Sequence, residues 1–351
     1  MTDERDELRQ MLTSVLSDAC SPERVEAAEG TLDSELWKTL TELELLEVGR
    51  PEAEGGAGGD LTDAAAIVRL CAAFAAPVPV GDALLVAPWL RARTGLPHRS
   101  GAVVVVSGSG LRADSTDQGW LITGSVSDVP WAAVSDSMIL LAESSEGLVI
   151  TEVDSSSTNV EAGTNAAGEP CGRVTLDAHV FKASVREVES RLGSELDVRR
   201  ALATSLLLAG ALDRVLDLCV RYVKEREQFG KPLASFQSVR QQISLLTGEV
   251  LVAGASAEGA VQAAMSEGPE AQLAILSARV RSARSATTVA TIAHQIHGAI
   301  GFTREHRLQH FTRRLWSWRD ENGTEGQWEQ RLGELVRDQG ADALWPSVTQ
   351  T

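Results

Sequence analysis

Residues 222–237 read YVKEREQFGKPLASFQ, and they gather cationic, aromatic and amide side chains around a Gly-Lys-Pro turn. Arg226 and Lys231 can bind phosphate oxygens, and Phe229 can cover a planar ring. Gln237, beside a helix expected to begin near Ser235, can donate to a polar headgroup. Together they form a candidate phosphate-and-ring site. The same residues also suit an ordinary helix C-terminus, where Lys and Arg complement the helix dipole.

A second group lies in residues 294–324, HQIHGAIGFTREHRLQHFTRRLWSWRDENGT. Gly298 and Gly301 end a helix there, where glycine lets another backbone or a ligand approach closely. Four of the chain's six histidines fall in this window. His294 with His297, and His306 with His310, have the i,i+3 and i,i+4 spacing that metal ligands use. No HExxH pattern or adjacent carboxylate pair completes such a site, so no metal is expected. Residues 304–318 read as a solvated basic helical face.

The elements that must position these groups follow from the hydrophobic period. Residues 6–16 and 32–46 repeat apolar side chains every three or four positions, as amphipathic helices do. PEAEGGAGGD at 51–60 interrupts them as a turn, and a helix restarts over 61–75. Residues 102–106, 120–123, 137–141, 148–153 and 173–176 are short β-rich runs between turn residues. Helical period returns over 196–226, 235–265, 270–296 and 325–337, and such long helices with short connections predict an antiparallel four-helix bundle. The expected fold is mainly α with a middle β domain. It divides into a helical domain over 1–96, a small barrel-like β domain over 97–189 and a bundle over 190–351.

Composition narrows the function. The chain has 351 residues, with 32 Lys and Arg against 49 Asp and Glu, a net charge of -17 that repels phosphate backbones and anionic membranes. Nucleic acid is not an expected partner. Cys20, Cys71, Cys171 and Cys219 lie far apart and form no CxxC pair, so neither a zinc ribbon nor a disulfide framework is suggested. No export leader and no apolar run of about 18 residues is visible, and a cytoplasmic location is expected.

Four segments then carry a resemblance: LWKTLTELELLEVGRPEAEGGAGGD at 36–60, GWLITGS at 119–125, REQFGKPLASFQ at 226–237 and QIHGAIGFTREHRLQHFTRR at 295–314. Over almost its entire length the chain resembles the acyl-CoA dehydrogenases, flavoenzymes with helical, β and four-helix-bundle domains in that order. The resemblance implies FAD as cofactor, an acyl-CoA as substrate and α,β-dehydrogenation as the reaction. In that family the RxxFG, FQ and QxxGG residues reach the FAD of a neighbouring subunit. By likeness Arg226, Phe229, Gln237, Gln295, Gly298 and Gly301 would contact it, and Thr324 of the ENGT turn joins the set.

Departures from the family pattern point to a divided role. The usual base is the Glu of YEGT, and here ENGT places Asn322 there, a side chain that cannot accept a proton at neutral pH. The alternative base of some relatives falls at about Arg200. Glu321 or Asp320 would serve only if a one-residue shift still aimed the carboxylate correctly. The flavin-contacting TEPxAGSD run is not recognisable around 107–118, and 125–131 replaces another flavin-binding run. The chain therefore resembles the non-catalytic subunit of actinobacterial heteromeric dehydrogenases, α2β2 assemblies acting on steroid side-chain CoA esters. Alternatives are a self-sufficient homo-oligomer using Glu321, and a scaffold that binds no flavin. Electron-transferring flavoprotein is the electron acceptor the family implies.

Overall fold

The computed structural model describes residues 2–266, 268–340, 342 and 345–346. Its helices are α1 (Thr2–Ala19), α2 (Pro22–Ala27), α3 (Ser34–Glu42), α4 (Leu61–Ala73), α5 (Ala87–Thr94), α6 (Arg191–Glu225), α7 (Gln237–Ala264), α8 (Pro269–His297), α9 (Leu308–Asp320) and α10 (Glu325–Gln339). Its strands are β1 (Val103–Thr116), β2 (Gly119–Pro130), β3 (Ser137–Ser144), β4 (Gly147–Asp154), β5 (Asn159–Thr164), β6 (Pro170–Phe181), β7 (Val185–Val188), β8 (Glu227–Gln228) and β9 (Lys231–Pro232). No helix among the described residues is long and apolar enough to cross a membrane.

The chain forms two compact units. One consists of Met1–Val25, Leu61–Ala76 and Ala201–Thr351, and among the described residues its only strands are those of the β8–β9 hairpin. Small residues explain how its helices pack. Ala278, Ala283, Ala286, Ala290 and Ala293 put a fully buried stripe on α8, and Leu246, Val250, Ala253 and Ala257 do the same on α7. Gly210 marks one close approach of α6 to α4, since a Cβ there would stand 2.0 Å from the Arg69 carbonyl oxygen. Arg69 ties α4 to α6 by donating to both Asp213 oxygens, at 2.8 and 3.2 Å.

The other unit, Glu26–Asp60 and Pro77–Arg200, holds a seven-stranded sheet in the order β5-β6-β2-β1-β3-β4-β7. All neighbours are antiparallel except β1 and β3. Alternating residues of β1, β2, β3 and β6 build its core, with Val104, Val106, Leu111, Ile122, Leu140 and Val174 at its centre. β1 is longer than the run expected over 102–106, because Ser107–Gly110 bulges without ending the strand. Gly110 and Gly124 permit this, since a Cβ on Gly124 would lie 1.8 Å from the Gly110 carbonyl oxygen.

Candidate functional site

The corner between α6 and α7 is a tight hairpin. Gln228 pairs with Lys231, which leaves Phe229 and Gly230 as a two-residue loop. Both have positive φ, 54° and 75°, the pattern of a type I′ turn. The turn therefore sits one residue earlier than the Gly-Lys-Pro corner expected from sequence, and α7 begins at Gln237 rather than Ser235. Phe229 is 91% exposed, touching Phe236 edge-on at 6.2 Å. A left-handed, solvent-facing aromatic costs about 1–3 kcal/mol without an internal packing gain, which is characteristic of functional positions.

Around this hairpin the polar groups are uncommitted. The side chains of Arg226 and Gln237 are exposed and make no hydrogen bond or ion pair among the described residues. Phe236 offers α7 no side-chain cap, so the N–H groups of Gln237, Ser238 and Val239 are unpaired. Lys231 lies over the Phe236 ring at 4.6 Å. A guanidinium beside open helix-terminal N–H groups and a free aromatic face is a donor set that suits a pyrophosphate carrying a ring. An open groove lined by Gln237, Arg240, Gln241, Ser244 and Leu245 continues along α7.

The second sequence segment meets the first through Tyr222. Its ring stacks on His297 at 4.3 Å, and its hydroxyl donates to the His297 carbonyl at 3.3 Å. Because Arg226 N donates to Tyr222 O at 2.8 Å, the end of α8 is fixed one helical turn from the hairpin. Gln295 and Gly298 are exposed, and Gly298 adopts φ 61° and ψ -142°, which strongly favours glycine. Gly301 is buried for a reason internal to the fold, since a Cβ there would approach His297 Cβ to 2.8 Å.

Glu321, Asn322 and Thr324 occupy the α9–α10 turn. Asn322 has φ 56°. Thr324 caps α10 through a capping box with Gln327, its N–H donating to Gln327 Oε1 at 2.8 Å. Arg279, fully buried on α8, holds the turn from beneath. Its Nη2 lies 2.6 Å from the Arg319 carbonyl and 3.3–3.4 Å from those of Trp318, Glu321 and Gly323. Burial pushes its guanidinium down to about 10, opposed by the carboxylates of Glu321, Asp320 and Glu325. Asp320 is engaged by its neighbour Arg319 at 2.6 Å.

Arg200 is committed within the sheet unit. Its guanidinium donates to Ser107 Oγ and to the Val105 carbonyl, each at 2.6 Å. Asp82, at the start of a π-helical turn, accepts from Val105 N at 2.9 Å. Burial raises the Asp82 carboxyl against the pull of Arg200 and that N–H.

The basic stretch was expected to face solvent, and the structure corrects this. His310 and Arg314 are 3% exposed, packed beside Phe311, Leu315 and Trp318 on α9. Local partners make burial tolerable: Arg314 donates to the His310 carbonyl at 3.0 Å, and Gln309 Nε2 lies 3.0 Å from His310 Nδ1. His294 and His297 are drawn into packing too, His294 stacking on Phe302 at 4.3 Å. No group of three metal-ligating residues occurs among the described residues. Sequence reasoning missed Tyr222 as the link between the two segments and Arg279 as the support of the turn. The signal for Arg279 was a cation in line with the small residues Ser282, Ala283 and Ala286 that α8 buries.

Family models agree with this architecture at both ends of the chain. That for the acyl-CoA dehydrogenase N-terminal domain matches residues 2–92, and that for the acyl-CoA dehydrogenase C-terminal domain matches 191–327. The chain belongs to the acyl-CoA dehydrogenase family. Acyl-CoA dehydrogenase IpdE2 of Mycolicibacterium smegmatis is 30% identical over 328 residues, covering 90% of this chain and 93% of that protein. The ChsE4-ChsE5 complex from Mycobacterium tuberculosis contains a chain that superposes with a TM-score of 0.88 at 22% identity, covering 95% of this chain and 97% of that one. A variant of the steroid ACAD Tcur3481-Tcur3483 gives a TM-score of 0.87 at 24% identity, with 97% of this chain and 99% of that one covered. These structures establish the acyl-CoA dehydrogenase fold.

Proposed function

We propose that the chain is a subunit of an FAD-dependent acyl-CoA dehydrogenase that completes the flavin site of a base-containing partner subunit. The observation behind this reading is the contrast between its two kinds of site. At the α6–α7 hairpin the exposed side chains of Arg226 and Gln237 and three helix N–H groups are uncommitted. At the two base positions, Asn322 cannot take a proton and Arg200 is bound to β1.

FAD, when bound, accepts the hydride from the acyl thioester. Arg226 then holds pyrophosphate oxygens and the first turn of α7 adds N–H donors, while Phe229 covers the adenine or ribose face. Gln295 adds an amide donor from the adjoining α8 end, where Gly298 lets the cofactor approach the backbone closely. The partner subunit supplies the base and the remaining flavin contacts. Likeness to the steroid ACAD Tcur3481-Tcur3483 supports an acyl-CoA with a steroid-derived acyl group, and likeness to a chain of the two-protein ChsE4-ChsE5 complex supports a heteromeric, α2β2 arrangement, with electron-transferring flavoprotein as acceptor.

Co-expression with a neighbouring base-containing dehydrogenase chain tests the reading. The complex is expected to be yellow and active, and the lone chain colourless. Yellow, active protein from the lone chain would refute the divided role and favour a homo-oligomer using Glu321. Colourless protein in both preparations would favour a flavin-free scaffold.

A further inference from the structure

Away from these segments, the sheet-bearing unit encloses a cavity of about 210 Å³ between α3, the turn after it, α5 and the approach to β1. This is smaller than the roughly 300–1,000 Å³ of drug-sized ligand sites, and equals about seven waters at roughly 30 Å³ each. It has room for one ring with a short substituent. Trp37, Leu46, Pro88 and Leu96 supply apolar wall.

The charges around the cavity are already paired. Glu47 accepts from Arg50 Nε at 2.9 Å and lies 3.2 Å from His98 Nε2. Glu152 accepts from Arg91 Nε and Nη2 at 3.1 and 2.7 Å, and Arg99 pairs with Asp154. An anionic ligand would have to compete with these carboxylates. Burial holds His98 below the usual imidazole range, with Arg50 and Arg91 acting in the same direction and Glu47 opposing, so it adds no charge at neutral pH. Glu54, the lining carboxylate outside these pairs, is exposed at the rim.

What remains uncommitted is a set of donors. Arg91 is only 8% exposed, and its Nη1 has no hydrogen bond among the described residues. The Trp37 indole N–H and the Ser100 hydroxyl are likewise unpaired, and both residues line the cavity. Arg91 is the buried member of this set, Trp37 being half-buried and Ser100 exposed; a donor without a protein acceptor favours a ligand that brings one, and paired charges favour one that brings no charge.

We propose that this cavity binds a compact, uncharged carbonyl compound, its apolar body against Trp37, Pro88 and Leu96 and its oxygen accepting from Arg91. The site is independent of flavin, so the test can be made on the full chain without cofactor. Acetophenone, ethylbenzene and benzoate serve as probes in ligand-observed NMR titrations. Acetophenone is expected to bind at least about tenfold more tightly than ethylbenzene, which lacks the acceptor, and more tightly than benzoate. Ala92→Leu, at an exposed residue bordering the cavity, should weaken acetophenone about tenfold or more with the circular dichroism spectrum unchanged. Trp37→Phe, which keeps a ring against the ligand's apolar body, should leave the preference for ketone over hydrocarbon in place, since the oxygen accepts from Arg91. No acetophenone binding below about 10 mM, equal binding of ethylbenzene, tighter binding of benzoate, or indifference to Ala92→Leu would each overturn the proposal.

Discussion

Tyr222 lies flat on His297, 27° between the ring planes, and its hydroxyl reaches the carbonyl of the same residue. One side chain thus sets the distance between the hairpin bearing Arg226 and the turn bearing Gly298. It is also the only tyrosine of the chain. Tyr222→Phe removes one hydrogen bond and should cost about 0.5–1.5 kcal/mol in urea unfolding. Tyr222→Ala also removes the stacked ring and should cost about 3 kcal/mol. It should loosen flavin in the assembled enzyme as well.

The same contact has a pH signature. Burial holds His297 neutral, down to about 4, with His306 and His294 acting in the same direction against the Ala293 carbonyl. Burial also lowers His294 and His306. In the unfolded chain these imidazoles titrate near 6.5, so that state binds more protons between the two values. Stability should be full above about pH 6.5 and decline as pH falls towards 4. Urea midpoints measured across that window should show the decline, and His297→Gln should flatten it.

Arg226→Ala should leave stability within about 0.5 kcal/mol of the parent, because the side chain is exposed and unpaired. Flavin affinity of the co-expressed complex should fall about ten- to a hundredfold, the effect of one or two charge-assisted hydrogen bonds. Flavin content after gel filtration is the measurement. Unchanged content would remove Arg226 from the cofactor site.

Phe229→Gly separates strain from function. Glycine takes φ 54° without steric cost, so the variant should be as stable as the parent or more stable by up to about 1 kcal/mol. It should nevertheless retain less flavin, since the exposed aromatic face is gone. Paired thermal melts and absorbance spectra check both halves.

Arg279→Met removes the donor shared by the carbonyls at the end of α9. A loss of about 3 kcal/mol is expected, with increased hydrogen exchange at residues 319–324. Arg279→Lys should recover part of the stability by restoring one donor.

The long helices were legible because small and aliphatic side chains recur at helical period in α6, α7 and α8. The hairpin residues were legible as chemistry, since cation, aromatic and amide fall together at Arg226, Phe229 and Gln237. Their geometry was not legible: a two-residue ladder is too short to leave a β signal, and lysine and proline looked like the turn. The burial of α9 was hidden because His310, Gln309 and Arg314 are solvent-loving types, and the local partners that help to satisfy them do not show in the sequence pattern. The extent of β1 was hidden by glycines that read as a break. They are there because the two strands of the hairpin nearly touch.

Arg279 grips the backbone at four carbonyls and asks nothing of the side chain at position 322. The loop bearing Asn322 is therefore held from beneath by Arg279, while φ 56° at Asn322 itself favours asparagine or glycine there. A carboxylate at position 322 would have to be carried on that same left-handed backbone. Asn322→Glu would thus return a carboxylate to the turn at a cost of about 1–2 kcal/mol in left-handed backbone strain.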